Sequence, residues 1–396
     1  MRTKDRGAQA RRGELLDFTR PEIDEETIAD ALGCLRSGWV VSGPRVRAFE
    51  RLLADRVGAP YVRCLSGCTG ALLLAFRLLG VGQGDEVLVP TLTFAACANV
   101  VEQLGAVPVL VDSEPDTGLV DLDDAGRRVT PRTHALIAVH LGGRPVDMDR
   151  LKSLRQAHGL AIVEDAAHAI GAEWGGRPIG SHGNLTAFSF HATKNITTIE
   201  GGALALADKS DAERVRRLAV QGLDRSSWDR HISQGPAEYE LDEPGYKLAM
   251  TDVSAAIGIS QLARLDEWID RRDALAARYD EALAELPVEL EPPVPAGVRH
   301  ARHLYAVRVR PDAPLSRSEL AAELADRNIG TSVHFKPLHR FRYYAERYGL
   351  ADADYPIASD YAARTISLPL FPGMTEADQE DVILAMRAAL QSRGSL

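Results

Sequence analysis

The chain has 396 residues, 45% hydrophobic and 26% charged, with 46 Lys+Arg against 56 Asp+Glu and a formal net charge of −10. This is the balance of an ordinary globular protein with two or three domain-sized units, or one large domain and a smaller one. It disfavours nucleic acid or an anionic membrane as the main partner, and no apolar run approaches the roughly 18 residues of a membrane span.

Residues 1–14 hold five Arg/Lys and no apolar core, the composition of a solvated tail and not of a secretory leader. Short apolar runs then alternate with helical patterns. Helices are expected at Arg45–Val57, Gly70–Leu79, Ala96–Leu104, Met148–His158 and Asp211–Val220. Strands are expected at Glu86–Val89, Val107–Val111, Ala135–His140, Ala161–Glu164, Ala187–Phe190 and Ala203–Ala207. Such alternation predicts an α/β domain with a mainly parallel sheet and helices on both faces. Ligands on such sheets bind at the carboxyl ends of the strands.

From about Met250 the pattern changes. Thr251–Leu286 reads as one or two long helices with Asp252 as N-cap. Pro287–Gly297 reads as a linker or extended loop. A strand at His303–Val309 and helices at Arg317–Arg327 and Glu376–Leu390 complete a smaller α+β domain. The predicted organisation is a tail at 1–14, a large domain at 15–250 and a small C-terminal domain at 251–396.

The cysteines, Cys34, Cys64, Cys68 and Cys97, form no CxxC pair and have no metal-ligand spacing with histidine. They are read as free thiols of a reducing cytosol, with no metal expected.

The residues that could carry chemistry cluster at predicted strand ends. Asp165 closes the run Ala161-Ile-Val-Glu-Asp, and Lys194 follows the strand that carries Ser189. By itself, Asp165 would equally suit Mg²⁺ in a nucleotide hydrolase or a ribose in a dinucleotide enzyme. No G-x-x-x-x-G-K-[ST] occurs, and no G-x-G-x-x-G follows the first strand. The lysine and the carboxylate together suit pyridoxal phosphate (PLP). The amine forms a Schiff base with the cofactor aldehyde, and the carboxylate keeps the pyridine nitrogen protonated.

Neighbouring residues extend that reading. Ser189 offers a hydroxyl to a phosphate, and Gly201-Gly202 let the backbone pass close to a ring or phosphate. Ser66-Gly-Cys-Thr-Gly70 opens a helix, where free N–H groups favour an anion; a simple N-cap at Thr69 explains it equally well. His168 is either a core or capping histidine or a hydrogen-bond donor near the cofactor. Phe94 is either core or a stacking platform. His334 and His339 are either structural or face the substrate.

The stretches Ser37-Gly-Trp-Val-Val-Ser-Gly-Pro44, Gly84-Asp-Glu-Val-Leu-Val-Pro-Thr-Leu-Thr-Phe94, Val163-Glu-Asp-Ala-Ala-His168 and Phe188-Ser-Phe-His-Ala-Thr-Lys-Asn195 go further. With Gly245-Tyr-Lys, Met250-Thr-Asp252, Val333-His-Phe-Lys-Pro-Leu-His339 and Leu368-Pro-Leu-Phe-Pro-Gly373, the chain resembles the DegT/DnrJ/StrS family of PLP-dependent sugar aminotransferases. The resemblance spans about Leu16 to Leu390. It implies the aspartate-aminotransferase-like fold type I, with a three-layer α-β-α large domain.

The resemblance also assigns roles. Lys194 would carry the cofactor and shuttle the proton, Asp165 would pair with the pyridine nitrogen, and His168 would sit by the phenolic oxygen. Phe94 would stack on the ring, while Cys68, Thr69 and Ser189 would hold the phosphate. Trp39, His334 and His339 would be substrate contacts. The family implies a cytoplasmic homodimer with shared active sites, in which residues around Tyr246–Met250 reach across. Relatives offer an asparagine there to the partner's phosphate. This chain departs from them with Lys247 and Ala249, so Lys247 would replace an amide with a charge.

The segment around Lys194 is similar to members that aminate C4. The implied reaction passes nitrogen from L-glutamate to an NDP-4-keto-6-deoxyhexose, in antibiotic-type secondary metabolism or surface-glycan biosynthesis. A C3 keto-sugar or keto-cyclitol aminotransferase and a non-catalytic PLP-binding sensor are the alternatives. Lys194 argues against the family's C3-dehydrating offshoot, which carries His there. The lack of any cysteine after Cys97 argues against a desulfurase.

Overall fold

The computed structural model describes residues 12–232 and 238–391. The expected tail at 1–14 therefore lies outside the described residues up to position 11. At Arg12 the chain is already tied down, by ion pairs of 2.6 Å to Asp378 and Asp381.

Helices α1 (Glu25–Arg36) and α2 (Pro44–Val57) precede strand β1 (Tyr61–Leu65) and helix α3 (Cys68–Leu78). Then come β2 (Glu86–Pro90), α4 (Ala96–Gln103), β3 (Val107–Val111), α5 (Leu122–Arg127), β4 (Thr133–Val139), α6 (Met148–His158) and β5 (Ala161–Asp165). A two-stranded ribbon, β6 (Glu173–Trp174) and β7 (Arg177–Pro178), leads to β8 (Leu185–Ser189), β9 (Gly202–Leu206), α7 (Lys209–Leu218) and α8 (Ser227–Ile232).

Seven of these strands form one sheet in the order β1-β9-β8-β5-β4-β2-β3. Only β9 runs against its neighbours; the other adjacent pairs are parallel. Their apolar runs are continuous, not alternating, because the interior strands are covered on both sides; β2 and β9 are buried at every position. Helix boundaries follow local chemistry. In α6 the Asp147 carboxylate caps the first N–H groups, and Gly159 ends the helix in the left-handed conformation.

The C-terminal third opens with α9 (Asp252–Ala263) and α10 (Leu265–Leu283), which break at Arg264. Strands β10 (Val288–Glu289), β11 (Tyr305–Val309) and β12 (Thr365–Leu368) form an antiparallel sheet. Helices α11 (Arg317–Asp326), α12 (Arg342–Tyr348), α13 (Pro356–Arg364) and α14 (Glu376–Leu390) complete this part. The core changes midway along α10. Leu265, Trp268 and Ile269 pack with the large sheet, while Leu275, Tyr279 and Leu283 pack with Val307, Leu324, Ile366 and Met386.

The N-cap of α9 is Thr251, whose side chain accepts from Ser254 N, and not Asp252. The Asp252 carboxylate is committed elsewhere: it accepts the Gly43, Arg45 and Val46 N–H groups at the start of α2, at 2.8, 3.1 and 3.0 Å. No helix among the described residues is long and apolar enough to cross a membrane.

Candidate active site

The strand ends of the large sheet open into a cavity of about 460 Å³. Asp165 is the last residue of β5 and Ser189 the last of β8, and these strands are neighbours. Lys194 follows in a loop that turns through its own backbone, with Lys194 N–H donating to the His191 carbonyl at 2.9 Å. The loop is closed at its base, where Phe190 N–H reaches the Gly201 carbonyl and Thr198 N–H reaches the Phe190 carbonyl, each at 2.9 Å. A lysine from the loop and a carboxylate from the adjacent strand thus face one space.

Asp165 is buried and held on both oxygens. Oδ1 accepts the Ala167 N–H at 3.0 Å, and Oδ2 lies 3.1 Å from the Cys97 Sγ. Burial pushes the Lys194 amine from its ordinary 10.5 down to about 8, and the charge of Asp165 opposes that fall. An amine in that state is a usable nucleophile near neutral pH.

Three imidazoles surround the lysine. His168 Nδ1 accepts the Gly142 N–H at 3.2 Å, which leaves its Nε2 as the donor. His168 and His303 lie with ring centroids 4.3 Å apart, and His334 Nδ1 is 2.9 Å from Ser367 Oγ. Burial first, then nearby positive charge, pushes all three toward the neutral form, His334 to about 4. These three rings therefore offer hydrogen-bonding groups without adding cations.

Beside Asp165, α3 starts at Cys68 with no side chain capping it. Its first N–H groups, with the Thr69 hydroxyl and Ser189, form a donor set suited to an anion. Two glycines shape this wall. A Cβ at Gly202 would stand 2.4 Å from both Cys68 N and Gly67 C, so β9 can pass the α3 turn only without a side chain. At Gly201 the added atom would meet Thr198 Oγ1 at 2.1 Å. Their lack of Cβ makes room for neighbouring protein. Phe94, 61% exposed, stands at the opening opposite Phe335, with ring centroids 6.1 Å apart.

Of the sequence candidates, Lys194, Asp165, Cys68, Thr69, Phe94, His168, Ser189 and His334 line this cavity. Three do not. His339 is consumed by Thr91 Oγ1 at 2.8 Å and Ser359 Oγ at 3.0 Å and stacks on Tyr355. Trp39 packs edge-on against Trp228. Lys247 bridges through its backbone to Val220. His303 and Phe335 also line the cavity, and Cys97 and Asn195 stand behind it against Asp165 and His303; Asn195 and Phe335 fall within motif stretches that assign them no role, while Cys97 and His303 are brought here only by the fold.

A family model for the DegT/DnrJ/EryC1/StrS aminotransferase family matches residues 21–387. The chain belongs to this family. It is 43% identical over 379 residues to the spore coat polysaccharide biosynthesis protein SpsC of Bacillus subtilis (strain 168), covering 95% of this chain and 97% of that one. The PLP form of the putative sugar aminotransferase Spr1654 from Streptococcus pneumoniae matches with a TM-score of 0.87 at 33% identity, over 95% of this chain and 98% of that one. DesV of S. venezuelae, in complex with a ketimine intermediate, matches with a TM-score of 0.84 at 35% identity, over 93% and 98%. The protein is a PLP-dependent aminotransferase of fold type I. The residues present fit that cofactor: a desolvated amine, a buried carboxylate and an uncapped helix start all face one cavity.

Proposed function

We propose that this aminotransferase moves the amino group of L-glutamate onto a nucleotide-linked keto-deoxysugar at C4, in glycan or secondary-metabolite sugar biosynthesis. The observation that carries the reading is the shared cavity of Lys194 and Asp165, with the amine held near neutrality. The similarity to a polysaccharide biosynthesis protein and to sugar aminotransferases supports a sugar acceptor. The likeness of the segment around Lys194 to members acting at C4 supports the carbon.

When bound, pyridoxal phosphate supplies an aldehyde that takes up the amine and a ring that spreads the charge of the deprotonated carbon. Lys194 would hold the cofactor through its amine and, once free of it, would hold and move the proton at Nζ. Asp165 keeps the ring nitrogen protonated. His168, with Nδ1 taken by Gly142, would offer its Nε2–H to the cofactor. The N–H groups at Cys68 and Thr69, with the Thr69 and Ser189 hydroxyls, hold the phosphate. Phe94 covers one ring face.

Ser332 and His334 line the same cavity and are the residues assigned to the sugar. The enzyme acts as a homodimer in the cytoplasm, and Lys247 meets the partner's phosphate. Ile28, Leu32 and Leu35, exposed along one face of α1, support a protein contact on that side.

The test incubates purified protein, PLP and glutamate with a panel of keto-sugar nucleotides and reads the product by mass and NMR. A 4-amino product is expected. A 3-amino product or an aminated cyclitol would overturn the C4 assignment. Cofactor binding without any turnover of glutamate would overturn the transfer itself.

A further inference from the structure

The carboxylate that faces the cofactor is held by sulfur. Asp165 Oδ2 lies 3.1 Å from Sγ of Cys97 on α4. An ionised carboxylate has no proton to give, so the thiol donates. That sulfur lies 3.4 Å from Thr93 Oγ1. With its S–H committed to Asp165, sulfur accepts and the hydroxyl donates. A buried relay therefore runs from Thr93 through Cys97 to Asp165. The other groups that face the carboxylate are the Ala167 N–H, Lys194 and the Cys68 thiol, whose Sγ stands 4.0 Å from Oδ1.

A thiol is a weak donor. It fixes the direction of the carboxylate while withdrawing little of its charge. A hydroxyl or guanidinium at the same place would form a short, charge-assisted bond and compete with any further donor. Resting on the reading that Asp165 pairs with the cofactor's ring nitrogen, we propose that Cys97 is a positioning residue that orients Asp165 through a weak S–H bond and so leaves its charge available to that nitrogen. Burial and the adjacent Asp165 charge push the Cys97 thiol up, so it stays protonated and remains a donor.

The test uses the full chain as wild type, Cys97→Ala, Cys97→Ser and Asp165→Asn. Each is loaded with PLP labelled with ¹⁵N in the ring. Cofactor retention is measured by ultrafiltration, ring protonation by the ¹⁵N shift, and folding by the melting temperature of the unloaded protein. Cys97→Ala loses one aligning bond, and retention falls about threefold to tenfold. Cys97→Ser restores retention but moves the ¹⁵N signal part of the way toward the unprotonated ring, because its stronger donor draws on the carboxylate. Asp165→Asn moves the signal furthest.

If Asp165→Asn moves the signal while both Cys97 variants keep wild-type retention and shift, the role of Cys97 falls and that of Asp165 stands. A loss of retention that Ser does not rescue and that follows the melting temperature makes Cys97 a packing residue, which also overturns the proposal. An unmoved signal in Asp165→Asn removes the underlying pairing itself.

Discussion

Asn195, the residue after Lys194, is clamped by the segment that ends at His303. Its Nδ2 donates to the Ala301 carbonyl at 2.6 Å, and its Oδ1 accepts from His303 Nδ1 at 3.1 Å. That segment is itself held by buried Arg272 of α10, whose Nη1 donates to the carbonyls of Arg302, His303 and Leu370 at 3.3, 3.4 and 2.7 Å. The loop that carries the lysine is thus braced by a helix shared between the two cores. Asn195→Ala leaves the Ala301 carbonyl and the His303 N–H without partners and frees the backbone beside Lys194. Turnover is expected to fall about 10–100-fold, the usual consequence of an ångström-scale misplacement, while the cofactor still binds. Comparing kcat with the absorbance of bound cofactor checks this; parallel loss of both would refute it.

Asp252 is a structural anchor. Its carboxylate is buried and accepts three backbone N–H groups at the start of α2. Asp252→Ala strands those donors and removes a charge favoured at a helix N-terminus. Denaturant unfolding should show a loss of about 2–4 kcal/mol. Asp252→Asn keeps an acceptor and should lose less. Equal losses would show that hydrogen-bond acceptance is not what matters there.

That carboxylate also shows where the sequence was legible and where it was not. The strands of the large sheet were readable because buried parallel strands are continuous apolar runs: Val107–Val111 agrees at both ends, and the others to within two residues. β1 was missed, since Arg63 interrupts its five residues and reads as surface; its guanidinium is instead paired with Glu50 and Glu213. Thr251 and Asp252 are equally good caps in one dimension. The choice is made by α2, some 200 positions earlier in the chain. Lys194 and Asp165 stood out because strand ends are where such sheets keep their chemistry. Cys97 and His303 were invisible because each works through a neighbour distant in sequence. His339 carries a motif position, yet it faces Thr91 and Ser359 and not the cavity.

Gly201 and Gly202 should tolerate substitution differently. At 202 the added carbon meets the backbone of Gly67 and Cys68, which cannot rotate away. Gly202→Ala therefore pushes on the first turn of α3. Overpacking of this kind costs about 1–3 kcal/mol, and retention of PLP should fall with it. At 201 the carbon meets the ends of Thr198 and Met250, side chains that can give way. Gly201→Ala is expected to be the milder change. Equilibrium dialysis of the cofactor against both variants decides; the reverse order would show that the α3 turn does not bear on binding.

Lys194 should make cofactor capture depend on pH. Burial holds its amine near 8 instead of 10.5. Only the unprotonated amine attacks an aldehyde. Capture by the unloaded protein should therefore speed up about tenfold per pH unit below that value and level off above it. The same shift fixes a trend in stability. Between about 8 and 10.5 the unfolded chain binds the extra proton, so the unloaded protein should gain stability as pH rises through that window. Asp165→Asn removes the opposing charge, and the plateau should begin at lower pH. Stopped-flow absorbance across pH checks the capture profile of both proteins, and denaturant unfolding of the unloaded protein across the same range checks the stability trend. A capture rate still rising steeply at pH 10 would mean that the amine is not desolvated as the cavity places it.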